Sequence, residues 1–237
     1  MRIIPAIDLL DGKVVRLKQG SFEQVEQFEK DPVELAKYYS DLGFQQLHLV
    51  DLDGAKAGRL VNTSTLNRIA KSTKLQIDYS GGIRSLKSVQ ECLDLGASKL
   101  CIGSLAVKSP NLFDEMLSSY PSQIILAADT YDGLIKTDAW QNKSSLRIED
   151  LISRFIPSGL QQVMSTDIKQ DGMMQGIQNQ YYQKLKKSFP VIEFIASGGV
   201  SSEQDLMSLE AIGIEKVIIG KALLNGSLNP ENLTAYA

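Results

Sequence analysis

The 237 residues hold only one histidine, one tryptophan and two cysteines. Cys92 and Cys101 are too few for a disulfide framework and lack the paired spacing of a metal site, so each reads as a small core residue. His48 sits within Leu47-His48-Leu49-Val50-Asp51, interior to a strand, and reads as a hydrogen-bonded structural residue rather than a proton carrier. Acid–base chemistry therefore falls to carboxylates. No long apolar segment is present, and the N-terminus runs straight into Arg2-Ile3-Ile4-Pro5-Ala6-Ile7-Asp8. That argues against a signal peptide or membrane span and makes a cytoplasmic enzyme the expectation. A large charge excess is missing too. A formal net charge of −3 gives no electrostatic footprint for nucleic acid, so an anionic ligand must be held by helix N-termini and a few Arg or Lys side chains.

What is present is glycine at repeated positions. Ser80-Gly81-Gly82-Ile83-Arg84-Ser85 and Ser197-Gly198-Gly199-Val200-Ser201-Ser202 each follow an apolar strand-like run and open a helix-like one. Paired glycines let the backbone approach a ligand, and the N–H groups of the next helix start present the positive end of its dipole, a combination suited to phosphate. The surroundings repeat in register: Gly96 and Gly103 follow Gly82 by 14 and 21 residues, as Gly213 and Gly220 follow Gly199. Upstream, Asp53-Gly54 with Gly58 answers Asp171-Gly172 with Gly176, and Asp8 with Asp11-Gly12 answers Asp129 with Asp132-Gly133. The chain reads as two copies of one half, about residues 1–120 and 121–237.

With 43% apolar residues the chain can bury a sizeable core, and the repeat favours a single domain over residues 1–237 rather than two small ones. Apolar runs alternate with helical periodicity. The strands expected are Ile3–Leu9, Leu47–Leu52, Leu75–Tyr79, Lys99–Ile102, Gln123–Ala128, Gln161–Ser165, Ile192–Ala196 and Val217–Ile219. The intervening helices include one over Val33–Tyr39, capped by Asp31 with Pro32 in its first position and ended by Gly43. Eight strand–helix units with an internal twofold repeat predict an α/β fold, a (β/α)8 barrel of two half-barrels. The stretches Lys13–Lys30 and Thr130–Ser145 read as long loops.

In such a barrel the chemistry lies at the C-terminal strand ends and in the loops after them. Asp8, Asp53, Gly81, Gly103, Asp129, Asp171, Gly198 and Gly220 all fall on that rim, and the repeat sets Asp8 across the mouth from Asp129. One anion cradle would use Gly81, Gly82, Arg84, Gly103 and Ser104, with Arg84 adding a charged fork. Its twin would use Gly176, Gly198, Gly199, Gly220 and Lys221. Two facing carboxylates can divide acid and base work when their environments push their pKa values apart. Asp51 and Asp53 read as ordering the loop beneath the site, and Asp11 and Asp132 as turn residues before glycine. The first long loop carries Arg16, Lys18 and Gly20 and could fold over a substrate. Trp140, in the second, has polar neighbours and reads as a ligand-stacking residue.

Ile4-Pro5-Ala6-Ile7-Asp8-Leu9 with Asp11-Gly12-Lys13-Val14-Val15-Arg16-Leu17, His48-Leu49-Val50-Asp51-Leu52-Asp53-Gly54-Ala55 and Ser80-Gly81-Gly82-Ile83-Arg84 carry a resemblance that extends over essentially the whole chain. The sequence resembles the phosphoribosylformimino-5-aminoimidazole carboxamide ribotide isomerases of histidine biosynthesis. The sister cyclase subunits of imidazole glycerol phosphate synthase share the repeat and both aspartates, but usually have a cysteine and a valine around the first, where this chain has Ile7-Asp8-Leu9.

The resemblance implies an Amadori rearrangement, aminoaldose to aminoketose, on a substrate bearing two ribose phosphates. It gives Asp129 the role of general acid on the ribose ring oxygen and Asp8 that of the base taking the C2′ proton. Thr166 and Asp171 would assist, and Trp140 would stack on the imidazole. No metal or organic cofactor is implied, because the protonated Schiff base is itself the electron sink. The expected partner is a small bisphosphorylated molecule, with no nucleic acid, no membrane and a monomeric chain. Ala139 stands where that family usually has glycine, and Met173-Met174 follow the Asp171-Gly172 turn. Three alternatives stay open: phosphoribosylanthranilate isomerisation, sole or additional; the ammonia-dependent cyclase with a glutaminase partner; and a barrel that binds a bisphosphate without turnover.

Overall fold

The run expected as the first buried strand is β1 (Arg2–Leu10) in a computed structural model that describes residues 1–18, 20–138, 140–169 and 176–237. It is followed by β2 (Lys13–Lys18), β3 (Ser21–Gln27) and α1 (Pro32–Asp41). The expected cap operates, the Asp31 side chain accepting from the backbone N–H groups of Val33 and Glu34, with Pro32 in the first turn. Next come β4 (Gln46–Asp51), α2 (Leu52–Ala57), α3 (Thr63–Ser72), β5 (Gln76–Ser80), α4 (Leu86–Asp94), β6 (Ala97–Ile102), α5 (Ser104–Lys108) and α6 (Pro110–Ser119). The second half runs β7 (Ile124–Ala127), β8 (Thr130–Tyr131), β9 (Leu134–Thr137), β10 (Asn142–Arg147), α7 (Ile148–Phe155), β11 (Gln162–Thr166) and α8 (Asn179–Ser188). It ends with β12 (Glu193–Ser197), α9 (Glu203–Ala211), β13 (Lys216–Ile219), α10 (Lys221–Leu224) and a 3₁₀ segment, Pro230–Tyr236.

Eight of the strands are parallel, in the order β1-β4-β5-β6-β7-β11-β12-β13. Pairing of β13 with β1, from Arg2 beside Lys216 to Pro5 beside Ile219, closes the sheet into a (β/α)8 barrel. Strand side chains alternate between two cores. Ile3, Ile7 and Leu9 face outward into the layer shared with the helices, whereas Ile4 and Ala6 join Cys101, Ile125, Ala127, Met164, Ile195 and Ile218 in a separate cluster on the axis. At the N-terminal strand ends a polar ring closes the barrel below. Lys216 pairs with Glu193 at 2.7 Å, Gln46 bonds Gln76 at 3.4 Å, and Gln162 bonds both Lys99 and Glu193. The opposite, C-terminal end opens into a larger cavity.

Both stretches expected as long loops are β-structure instead. β2 runs antiparallel to β1 and β3 to β2, while β8, β9 and β10 form a small antiparallel sheet of their own. The cause is local. Asp11-Gly12 (φ 50° and 72°) and Asp132-Gly133 (φ 55° and 73°) are left-handed at both positions, the two-residue turn whose twist matches a hairpin. The short helices α2, α5 and α10, tucked behind β4, β6 and β13, are further additions to the sequence reading.

Candidate active site

The two glycine pairs adopt the conformation for which glycine is suited. Gly81 and Gly82 have φ of 104° and 76°, and Gly198 and Gly199 have 84° each. A Cβ on Gly81 would lie 2.1 Å from the Asp51 carbonyl oxygen, and one on Gly82 2.3 Å from that of Arg59, so packing against backbone excludes a side chain at either position. Each pair then leads into a capping box, Ser85 with Ser88 on α4 and Ser202 with Asp205 on α9. These boxes engage N–H groups that the sequence reading had aimed at an anion; the Ser88 N–H, for example, donates to Ser85 Oγ at 3.1 Å. At the ends of β6 and β13, the starts of α5 after Gly103 and α10 after Gly220 carry no side-chain cap. Strand order puts the β5–β6 cradle half a turn around the barrel from the β12–β13 cradle, and likewise sets β1, with Asp8, opposite β7, which leads to Asp129.

A cavity of about 230 Å³ opens at this end. Its wall takes both acids, Arg16, Gly20, Trp140 and Thr166, all four paired glycines, Arg84, Gly103 with Ser104, and Gly220 with Lys221. Gly176 is set back from it, its N–H donating to the Gly199 carbonyl at 3.2 Å, so it supports the cradle rather than lining it. Asp171 lies outside the described residues, as do Ala139 and Met173-Met174.

Asp8 stands near the upper end of β1, and the hairpin brings Arg16 back to it. Arg16 Nη1 donates to Asp8 Oδ2 at 2.6 Å, and Nη2 donates to the Ala6 carbonyl at 2.9 Å. The β1–β2 register, with Val15 opposite Asp8, makes this reach possible. Lys221 is tied to the neighbouring strand β3, which pairs with β2, by a 3.3 Å ion pair with Glu26.

Asp129 has different surroundings. Its Oδ2 accepts from Trp140 Nε1 at 2.8 Å, while its buried Oδ1 has no partner among the described residues. Burial pushes the carboxyl upward in pKa; the indole N–H, the Thr166 hydroxyl and the charge of His48 pull it down; the net position is above the ordinary aspartate value. Trp140 itself has φ of 69°, and its ring fills the space a side chain at Gly20 would need, since a Cβ there would stand 2.4 Å from it. The indole expected to stack on a ligand thus also holds an acid and touches the other hairpin.

Beneath the rim, Asp51 and Asp53 order the loop after β4, as expected. Asp51 accepts from the N–H groups of Gly54, Val61 and Asn62, from Asn62 Nδ2 and from the Tyr79 hydroxyl. Asp53 accepts from Asn62 Nδ2 and the Asp11 N–H. His48 is buried and bonded through Nδ1 to Asp78, a residue the sequence reading passed over. Its signal was a lone acid at an inward position of Gln76-Ile77-Asp78-Tyr79-Ser80. Burial pulls His48 downward in pKa, but the Asp78 charge and hydrogen bond outweigh it, and the ring lies above the ordinary histidine value. Cys101 Sγ donates to the same Asp78 oxygen at 3.3 Å. The ligating atoms of these three residues lie within 4.8 Å of one another, and burial holds the Cys101 thiol well above its ordinary pKa. The geometry is that of a hydrogen-bonded cluster.

Among the described residues no helix is long and apolar enough to cross a membrane. The family described as histidine biosynthesis protein matches residues 2–229. A relative from Cytophaga hutchinsonii, called 1-(5-phosphoribosyl)-5-((5-phosphoribosylamino)methylideneamino)imidazole-4-carboxamide isomerase, is 42% identical over 237 residues, covering 100% of this chain and 99% of its own. Relatives of the same name from Phocaeicola vulgatus and Halothermothrix orenii are each 39% identical over 237 residues, covering 100% of this chain and 99% and 100% of their own lengths.

Proposed function

This chain belongs to the histidine biosynthesis protein family, and from that premise and the cavity we infer that it is the aldose–ketose isomerase that converts the bisphosphorylated ribotide ProFAR to PRFAR by an Amadori rearrangement. The observation that carries the reading at the level of chemistry is the unlike pair of acids in one cavity. Asp8 faces a guanidinium, whereas Asp129 is raised in pKa and has one carboxyl oxygen shut off from solvent with no partner among the described residues. Such a division suits a base and an acid working on one substrate.

In this reading Asp129, protonated, gives its proton to the ribose ring oxygen, and the furanose opens to a protonated Schiff base. Asp8 removes the C2′ proton, the electron pair flows into the iminium, and the enolamine relaxes to the ketose. The uncapped starts of α5 and α10, with Arg84 and Lys221 beside them, hold the two phosphates, which fixes the reacting carbons between the acids. Thr166 and Trp140 orient the Asp129 carboxyl, and the resemblance gives Asp171, outside the described residues, an assisting role.

The test is incubation of the purified protein with the ribotide, without added metal or ammonia, following the sugar C2′ by NMR. Appearance of the aminoketose is the expected result. Conversion of phosphoribosylanthranilate alone, an ammonia-dependent breakdown, or binding without turnover would each replace the reading.

A further inference from the structure

The two acids of the cavity are carried by unlike backbone. Asp8 lies within β1, in register with Val15 of β2 on one side and Val50 of β4 on the other. Asp129 falls in the gap between β7, which ends at Ala127, and β8, which begins at Thr130. Separate backbone bonds hold its segment: the Ala128 N–H donates to the Met164 carbonyl at 2.8 Å, the Asp129 carbonyl accepts from the Lys136 N–H at 2.9 Å, and the Thr130 carbonyl from the Ile168 N–H at 3.0 Å. A further hold comes from α8, on the outer side of the barrel.

The Tyr181 hydroxyl stands 3.0 Å from Thr130 Oγ1 and 2.6 Å from Ser165 Oγ, and Ser165 Oγ is 3.0 Å from the Ala128 carbonyl. A hydroxyl has one proton to give and a carbonyl can only accept, which sets the direction of the chain. Ser165 donates to Ala128, Tyr181 to Ser165, and Thr130 to Tyr181. The chain thus starts one residue after Asp129 and ends one residue before it. Desolvation pushes the Tyr181 hydroxyl up to about 12 in pKa, so the chain keeps its protons at neutral pH. Ser165 also precedes Thr166, whose hydroxyl bonds the Asp129 carboxyl from the opposite face of β11.

Tyr182 reaches elsewhere. Its hydroxyl accepts from the Ser197 N–H at 3.1 Å and lies 2.8 Å and 3.0 Å from the carbonyls of Ser165 and Ser197. Ser197 ends β12 and leads directly into Gly198-Gly199 in the cavity wall. Successive positions on a helix point about 100° apart, so these neighbours serve different strands. Their rings meet edge-on with centroids 5.1 Å apart, a contact that two phenylalanines would make equally well. The hydroxyls are what ring packing does not account for.

We propose that Tyr181 and Tyr182 are positioning residues of this isomerase with separate duties: the Tyr181 hydroxyl clamps the segment that carries Asp129, and the Tyr182 hydroxyl holds the strand end that opens the second anion cradle. The proposal rests on the reading of Asp129 as the general acid. A small displacement of the Asp129 segment takes the carboxyl off its line to the reacting oxygen, which costs turnover; a displacement of Ser197 loosens the cradle, which costs substrate binding.

Steady-state kinetics of the full-length protein with the ribotide tests the division. Tyr181→Phe should lower kcat about tenfold with KM within about twofold, and Tyr182→Phe should raise KM about fivefold with kcat within about twofold. Thr130→Val, which removes the first hydroxyl of the chain at nearly constant volume, should act as Tyr181→Phe does, and the double variant should lose little more than either single one. The chain has one tryptophan, so its indole N–H gives a single ¹H–¹⁵N NMR signal that reports the bond from Trp140 to Asp129 without substrate. That signal should move toward the free-indole position in Tyr181→Phe and in Thr130→Val and stay in place in Tyr182→Phe. Unchanged kcat in both Tyr181→Phe and Thr130→Val, kcat and KM moving alike in the two tyrosine variants, or an indole signal unmoved in Tyr181→Phe and Thr130→Val overturns the proposal. Failure of the wild type to convert the ribotide would instead overturn the functional reading.

Discussion

The guanidinium of Arg16 occupies the room that a side chain on Gly220 would take, with Nη2 only 1.7 Å from where a Cβ would stand. Glycine at this strand end therefore serves two ends. It leaves the start of α10 open, and it lets Arg16 lie between the Asp8 carboxylate and the second anion cradle. Gly220→Ala should push Arg16 off both Asp8 and the Ala6 carbonyl. We expect kcat/KM for the ribotide to fall by about 10- to 100-fold, roughly 1.4–2.7 kcal/mol of transition-state stabilisation, with a smaller change in melting temperature. Steady-state kinetics with thermal denaturation checks this, and unchanged kcat/KM would mean that the Arg16–Asp8 contact has no part in turnover.

Asp8→Asn and Asp129→Asn should each reduce kcat by about 10²–10⁴-fold, the usual contribution of a positioned acid or base. Both groups line the cavity, so the folded fraction in urea should change far less than the rate. Either variant keeping near-normal kcat would remove that residue from the acid–base pair.

Trp140→Phe addresses the acid from above. The indole N–H stabilises the charged form of Asp129, so its loss leaves burial less opposed and raises the carboxyl's pKa further. The acid is active when protonated, so kcat should fall as pH rises through that pKa in the wild type, and the fall should come at higher pH in the variant. A pH–rate profile in which the alkaline limb stays put or moves down would contradict this arrangement.

Asp51→Ala would strip one acceptor from five donors: three backbone N–H groups, the Asn62 amide and the Tyr79 hydroxyl. Leaving such buried donors unpaired should cost about 3 kcal/mol or more. Equilibrium urea denaturation would measure it as a lower midpoint at similar slope. A loss under about 1 kcal/mol would show that water or local rearrangement satisfies the loop without Asp51.

The barrel was legible because its signals are periodic and local. Glycines spaced alike after Gly82 and Gly199 register the repeat position by position. Asp11-Gly12 and Asp132-Gly133 also carried the hairpin signal, but the strands beside them are weakly patterned. Ser21–Gln27 is mostly polar and Asn142–Arg147 almost wholly so, and the alternation that marks a half-buried strand is faint there. The rim acids were legible from strand-end position and repeat. Their partners were not, because the Arg16–Asp8 contact depends on a hairpin folding back onto β1, and the His48–Asp78 contact on two strands meeting in register. The anion-facing N–H groups were misplaced for a third reason: a serine before a helix and a polar residue three positions on, as in Ser85 with Ser88, signal that the helix start satisfies itself.

The contact between Gly20 and Trp140 has one more consequence. The paired glycines at Gly81-Gly82 and Gly198-Gly199 stand on opposite sides of the cavity and share one backbone conformation. The β9–β10 side contributes an indole at the crossing and the β2–β3 side contributes the space at Gly20 that receives it, so the two sides of the roof differ. A molecule with unlike ends then meets a roof that is unlike on its two sides, as the walls beneath it already are, with Arg84 and Ser104 on one side and Lys221 on the other.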